Sequence, residues 1–144
     1  MRSNDGGISR LKKRLKAIPQ DVREATVPSL MKNANAIANT MRQLAPDDPA
    51  TDAPDLNSSI AVTGPGEQTP EYSQPGGAMT VPENAVAITA GNTDVRYPHL
   101  QEYGNSKHEA QPFFWPAFRL HKKKAERSIK GAIGRAVKKH WGKP

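Results

Sequence analysis

Cysteine is absent from this sequence. That excludes disulfides, thiolate zinc sites and thiol nucleophiles, and it fits a reducing compartment. Long apolar runs are missing too: nothing approaches the roughly 18–20 consecutive apolar residues of a membrane span. The opening residues, Met1-Arg2-Ser3-Asn4-Asp5-Gly6-Gly7, have no apolar stretch of the secretory kind, so no secretory signal is expected. Aromatics make up only 6% of the 144 residues and hydrophobic residues 35%. The expectation is a modest core in a single domain, or in one domain with extended arms, over residues 1–144, which leaves no room for a large multidomain enzyme.

Acids are scarce at both ends. Residues 1–18 hold six basic groups and one acid, +5; residues 19–115 hold five and twelve, −7; residues 116–144 hold ten and one, +9. The net charge of +7 therefore sits at two cationic ends around an acidic middle. Such ends suit nucleic acid, anionic lipid or an acidic protein surface; the plainer alternative is a solvated helix face.

Apolar spacing organises the rest. Ile8, Leu11, Leu15 and Ile18 predict a basic amphipathic helix over 1–18, capped by Asp5 or Ser9. Leu30, Ala34, Ile37, Met41 and Leu44 form one stripe of a long helix over 20–45, ended by Pro46. Pro28 either starts that helix, with Thr26 near the cap, or kinks it. Residues 46–56, with three prolines and four aspartates, read as a surface loop. Within 56–91, alternation predicts strands at 57–63 and 85–90, with a short third at 79–81. Between them, residues 64–80 read as a long mobile loop or hairpin arm. A helical turn is expected over 95–104, and a basic helix over 112–141 whose seam is Ala125, Ile129, Ala132, Ile133, Ala136 and Val137. The fold class is α+β: N-terminal amphipathic helices, a small antiparallel sheet with long loops, and a basic C-terminal helix packed on the sheet.

Catalytic patterns do not emerge. His99 and Glu102 are three apart and can share a helical face, but His99, His108, His121 and His140 show no zinc-ligand spacing and read as ordinary polar groups. Asp47, Asp48, Asp52 and Asp55 lie in a Pro-rich loop, where aspartates are turn formers. There is no nucleophile elbow, phosphate-cradling loop or His-Glu-x-x-His. Neither a cofactor nor an enzyme is expected. The basic run Arg119, Lys122, Lys123, Lys124, Arg127, Lys130, Lys138 and Lys139 can meet phosphates in a salt-dependent, sequence-blind way, although no base-reading module accompanies it. Trp115 and Phe118 beside it can stack on single-stranded bases, but packing of the helix onto the sheet is the expected use. The apolar face is mostly alanine and too thin to anchor a membrane.

One stretch is more specific. Tyr97 is followed by Glu102-Tyr103-Gly104, a short polar loop, and Ala110-Gln111-Pro112-Phe113-Phe114-Trp115-Pro116-Ala117. Upstream stand Leu44-Ala45-Pro46 and Leu56-Asn57-Ser58-Ser59-Ile60. In this order these segments resemble the head–tail neck and tail-completion family of long-tailed bacteriophages. That family shows a helix-ending Leu-Ala-Pro, a Leu-x-x-Ser-Ile lead into the first strand, a Tyr and an aliphatic-Glu-aromatic-Gly turn, and Ala-x-Pro-Phe-x-x-Pro-Ala before the last helix. Two departures are Ala53-Pro54-Asp55 in place of a Thr-Gly and Asn105 in place of a Thr after the turn glycine.

The resemblance implies a non-catalytic virion protein. Its copies would form a homo-oligomeric ring, six-fold or twelve-fold, between the head connector or stopper and the tail-tube or tail-terminator proteins. Genomic DNA would pass through the bore. It implies assembly in the bacterial host cytoplasm, residence in the neck or tail, and no membrane. The segment Tyr97–Ala117 is then expected to pack the sheet on the C-terminal helix and shape a subunit contact. The alternative class is a free basic nucleic-acid-binding protein using the C-terminal helix.

Overall fold

The computed structural model describes residues 20–46, 56–107 and 109–141. The basic helix expected over 1–18, the four loop aspartates and His108 lie outside them, as does the side chain of His140. The described chain is α+β. Helix α1 (Gln20–Leu44) is followed by a 3-10 turn (Asn57–Ser59), strands β1 (Ala61–Thr63) and β2 (Ala87–Thr89), a short helix α2 (Pro98–Tyr103) and the long helix α3 (Phe114–Trp141).

Helix α1 runs through Pro28, which neither starts nor ends it. The missing bond is the one to the Glu24 carbonyl, and both residues are exposed, so water can serve that carbonyl. The buried row is Ala34, Ile37, Ala38, Met41 and Ala45. Leu44, the last residue of the expected stripe, is 46% exposed, and Ala45 turns inward in its place. Steps of four, three and four carry the row from Ala34 to Ala45, and small residues on it let neighbouring backbone come close.

The two strands pair antiparallel with Ala61 opposite Thr89, Val62 opposite Ile88 and Thr63 opposite Ala87. Both are shorter than their alternation suggests. The first half of the expected 57–63 strand is the 3-10 turn, because the Ser59 hydroxyl and amide both donate to the Leu56 carbonyl, at 2.7 and 3.1 Å. No strand forms at 79–81. That stretch is one side of a hairpin instead, with bonds from Gly66 N–H to Val81 C=O, Thr69 N–H to Met79 C=O and Val81 N–H to Glu67 C=O, each 2.8–2.9 Å. This arm folds back on the body: Thr69, Ser73 and Val81 are buried. Gln74 and Ala90 exchange two backbone bonds of 2.8 and 3.0 Å, which adds a rung beside β2. A two-stranded sheet of this length does not stand alone, and α1 covers it.

The C-terminal helix corrects the expected architecture. It packs principally along α1, antiparallel, rather than on the sheet. Asn33 Nδ2 donates to Ser128 Oγ at 3.0 Å and Thr40 Oγ1 is hydrogen-bonded to His121 Nε2 at 2.7 Å, so rising numbers in α1 meet falling numbers in α3. The reason is dimension. Twenty-eight residues span about 42 Å at 1.5 Å per residue, while each strand has three residues; only the 25-residue α1 offers a matching surface. Helix α1 thus forms a middle layer. Ser29, Asn33 and Thr40 face α3, whereas Met31 and Arg42, two positions on from Ser29 and Thr40, meet the strand side at Gly64 and the Ile60 carbonyl. Phe113 and Ala117, at the start of α3, close the core with Met41, Leu56, Ile60, Ala90 and Val95.

Candidate functional site

Helix α2 is one and a half turns long and ends at Gly104, whose φ of +71° suits a residue without Cβ. It exists to present Glu102. That side chain is buried, and its carboxylate collects three backbone N–H groups at the start of α3: Phe113 at 2.8 Å and Phe114 at 2.9 Å on Oε2, and Trp115 at 3.2 Å on Oε1. The first amides of a helix have no partner within it, and they form the positive end of its dipole. A carboxylate answers both needs, with charge-assisted bonds. A further bond, Gln111 N–H to Gln101 C=O at 2.7 Å, holds the intervening loop against α2.

The aromatic cluster is built on this cap. Phe113 is 1% exposed, while Phe114 and Phe118 are half-buried against the core. Successive rings meet edge to face, with Phe114 to Trp115 at 5.0 Å and Trp115 to Phe118 at 6.0 Å. Trp115 is partly exposed and its indole N–H donates to Tyr103 Oη at 2.8 Å. Beside them lies a cleft of about 90 Å³, walled by Pro75 from the hairpin arm, Pro98, His99 and Tyr103 from α2, and Phe113 and Trp115. His99 and Glu102 both touch it, yet Glu102 is committed to amides. Among the described residues no group of three or more His, Asp or Glu side chains is placed to hold a metal ion.

The upstream motif residues converge on the same core. Ala45 is buried and its N–H reaches the Met41 carbonyl at 2.8 Å, while Leu44 and Pro46 lie further out. Leu56, Ser59 and Ile60 are all under 4% exposed. Ser59 Oγ accepts the Gly91 N–H at 3.0 Å, so this hydroxyl ties the 3-10 turn to the loop after β2. Gly91 has no room for anything larger: a Cβ would come within 2.9 Å of Pro98 Cγ and 3.0 Å of the Val95 carbonyl oxygen, at φ +98°. Two bonds clasp the end of α1 to the 3-10 turn, Arg42 Nη2 donating to the Ile60 carbonyl at 2.8 Å and Asn57 Nδ2 to the Arg42 carbonyl at 2.7 Å.

Several expected site residues stand apart from this core. Tyr97 and Tyr103 are exposed, Pro112 is exposed, and Pro116 is half-buried in the first turn of α3, a place proline tolerates. Arg119, Lys122, Lys123, Lys124, Arg127, Lys130, Lys138 and Lys139 are all exposed along α3. The residues that spacing did not single out are Arg42, Asn57 and Gly91, whose roles are set by backbone groups far away in sequence.

No helix among the described residues is long and apolar enough to cross a membrane. Compared with protein-family models, curated proteins and solved structures, the chain matches none.

Proposed function

We propose that this chain is a non-catalytic structural subunit of a bacteriophage neck, forming a ring that joins the head connector to the tail tube and completes the channel for DNA. The observation that carries the reading is convergence. Ala45, Leu56, Ile60 and Phe113, from three separate segments of the resemblance, share one core, and Glu102, from a fourth segment, fixes where α3 begins. A clamped helix start of this kind suits a part whose task is to hold shape under assembly.

Next to the clamp is an exposed aromatic rim. Tyr103 is 69% exposed and linked to the partly exposed Trp115. A closed ring requires a heterologous contact, one patch meeting a different patch on the next subunit, and this rim is one half of it. The partners are further copies of the chain, in six-fold or twelve-fold symmetry, and the connector and tail proteins above and below. The site of action is the virion, after assembly in the host cytoplasm.

Quantitative mass spectrometry of purified particles, counting this chain against the portal protein, tests the reading. A fixed copy number of about six or twelve per particle, as a cyclic collar requires, supports it. Absence from tailed, infectious particles overturns it. The second reading, a free nucleic-acid-binding protein, rests on the exposed basic residues of α3 and would then take its place.

A further inference from the structure

The outer face of α3 carries an order that its packing does not require. The row turned toward the body is Ala117, His121, Ala125, Ser128, Ala132 and Ala136. All six are buried or half-buried, and His121 and Ser128 are bonded to α1. Two residues further on at each step is a turn of about 200° around the helix. The positions reached are Arg119, Lys123, Arg127, Lys130, Gly134 and Lys138, and every one is exposed. Five cations therefore form a single ridge directly opposite the packed row, about 28 Å long at 1.5 Å per residue. Glu126 is the one acid in the helix. Gly134 interrupts the ridge with open space, since a Cβ there would meet nothing, and a partner's surface can approach the backbone at that point.

The strand and hairpin layer is richer in acids than in bases. Residues 56–95 contain Glu67, Glu71, Glu83 and Asp94 and no lysine, arginine or histidine, and all four acids are exposed. They belong to the strand and hairpin layer, which the start of α3 joins at the core while the rest of the helix runs along α1; the cation that meets this layer is Arg96, 3.8 Å from the Tyr72 ring centroid. A long polyanion is therefore drawn to α3 rather than to the strand and hairpin layer.

We propose that this ridge is a docking surface for the phosphate backbone of duplex DNA, engaged without sequence preference. Its chemistry favours phosphates. The row's side chains are Lys and Arg, which bind phosphates without regard to sequence where, as here, no base-reading module sets them into a groove and no Asn or Gln stands by to pair with adenine edges. An anionic bilayer is the poorer fit, because past the aromatic start of the helix its large exposed apolar side chains, among the described residues, are Leu120, standing alone, and the Ile133/Val137 pair, too small a face to anchor in a membrane. Within the ring proposed above, the ridge turns α3 toward the bore. Binding itself needs only the single chain, so it is measured on the free protein, and the particle count decides the ring separately.

The test is fluorescence anisotropy of the full chain with a short mixed-sequence DNA duplex over a series of salt concentrations. Five phosphate contacts give a slope of log Kobs against log salt of about −4.5. A ridge variant, Arg119→Gln, Lys123→Gln, Arg127→Gln and Lys130→Gln, is compared with a flank variant of equal net charge, Lys122→Gln, Lys124→Gln, Arg135→Gln and Lys139→Gln. Glutamine is a good helix former, and circular dichroism checks that both fold. The ridge variant is expected to bring the slope to about −1 while the flank variant stays near the parent value. The four ridge substitutions made singly each lower the slope by about 0.9, which keeps the test open if the quadruple variant unfolds. Equal losses in the two quadruple variants overturn the proposal, leaving only a diffuse cationic surface. It is equally overturned by no binding in the parent, by equal affinity for polyglutamate, or by ridge substitutions that dissolve self-association and leave DNA binding unchanged.

Discussion

At the residue scale the structure turns on Glu102. Its position in a Tyr-to-Gly turn is legible in the sequence, but its task is not, because the amides it serves lie eleven to thirteen residues later. The hint is negative: residues 110–113, Ala-Gln-Pro-Phe, offer no Ser, Thr, Asp or Asn to cap α3 locally. Glu102→Ala is expected to cost about 2–4 kcal/mol, since three N–H groups lose a charged acceptor at a buried helix start. Glu102→Gln keeps one acceptor oxygen and should cost about half as much. Urea unfolding of both variants reads the difference, and equal stabilities would mean that water caps the helix. The neighbouring rings separate in the same way. Phe113→Ala is expected to cost about 3–5 kcal/mol because the ring is fully enclosed, while the half-buried Phe114→Ala loses less. Equal losses would place Phe114 in the core as firmly as Phe113.

At the element scale, periodicity reads helices well and short strands poorly. Helix α1 is legible because Ala34, Ile37 and Met41 share a face, and α3 because Ala125 and Ala132 repeat along its seam, although Ile133 and Val137, expected on the same seam, turn out exposed. What periodicity cannot supply is which surface that seam meets. An alanine seam fits a sheet or a helix equally, and the choice fell to α1 because the strands are too short to cover α3. The 64–80 arm was legible as a loop by its Gly and Pro. Its docking was not, since that depends on Gln74 reaching Ala90 through backbone atoms alone. Helix α3 also carries two glycines that lower its propensity. At Gly134 a methyl group meets nothing and the site is exposed, so Gly134→Ala is expected to stabilise by about 0.5–1 kcal/mol. At Gly131 the added carbon comes within 3.2 Å of Arg135 Nη1, the movable end of a long side chain, and the gain should be smaller. Thermal melts of the two variants check the order; a loss at Gly134 would show that the helix there is held in a form that alanine resists.

At the scale of the whole molecule, the charge split along the chain becomes a split in space. The acidic middle supplies the strand and hairpin layer and the basic end supplies α3, whose start joins the core beside the strands while its length runs along α1. The pattern was visible as arithmetic, but its geometry depended on α3 packing on α1 rather than on the sheet. A closed ring requires two different patches on each subunit, one meeting the other on the next copy. The rim at Tyr103 and Trp115 adjoins the core without belonging to it, so assembly and folding should come apart there. Tyr103→Ala removes an exposed ring and one hydrogen bond, and is expected to cost under about 1 kcal/mol of stability. If the rim is a subunit contact, the same change should shift native mass spectra at high protein concentration from ring to monomer. Glu102→Gln should do the reverse, lowering stability while rings persist as long as the chain stays folded. Rings that survive Tyr103→Ala unaltered would move the contact to another face of the molecule.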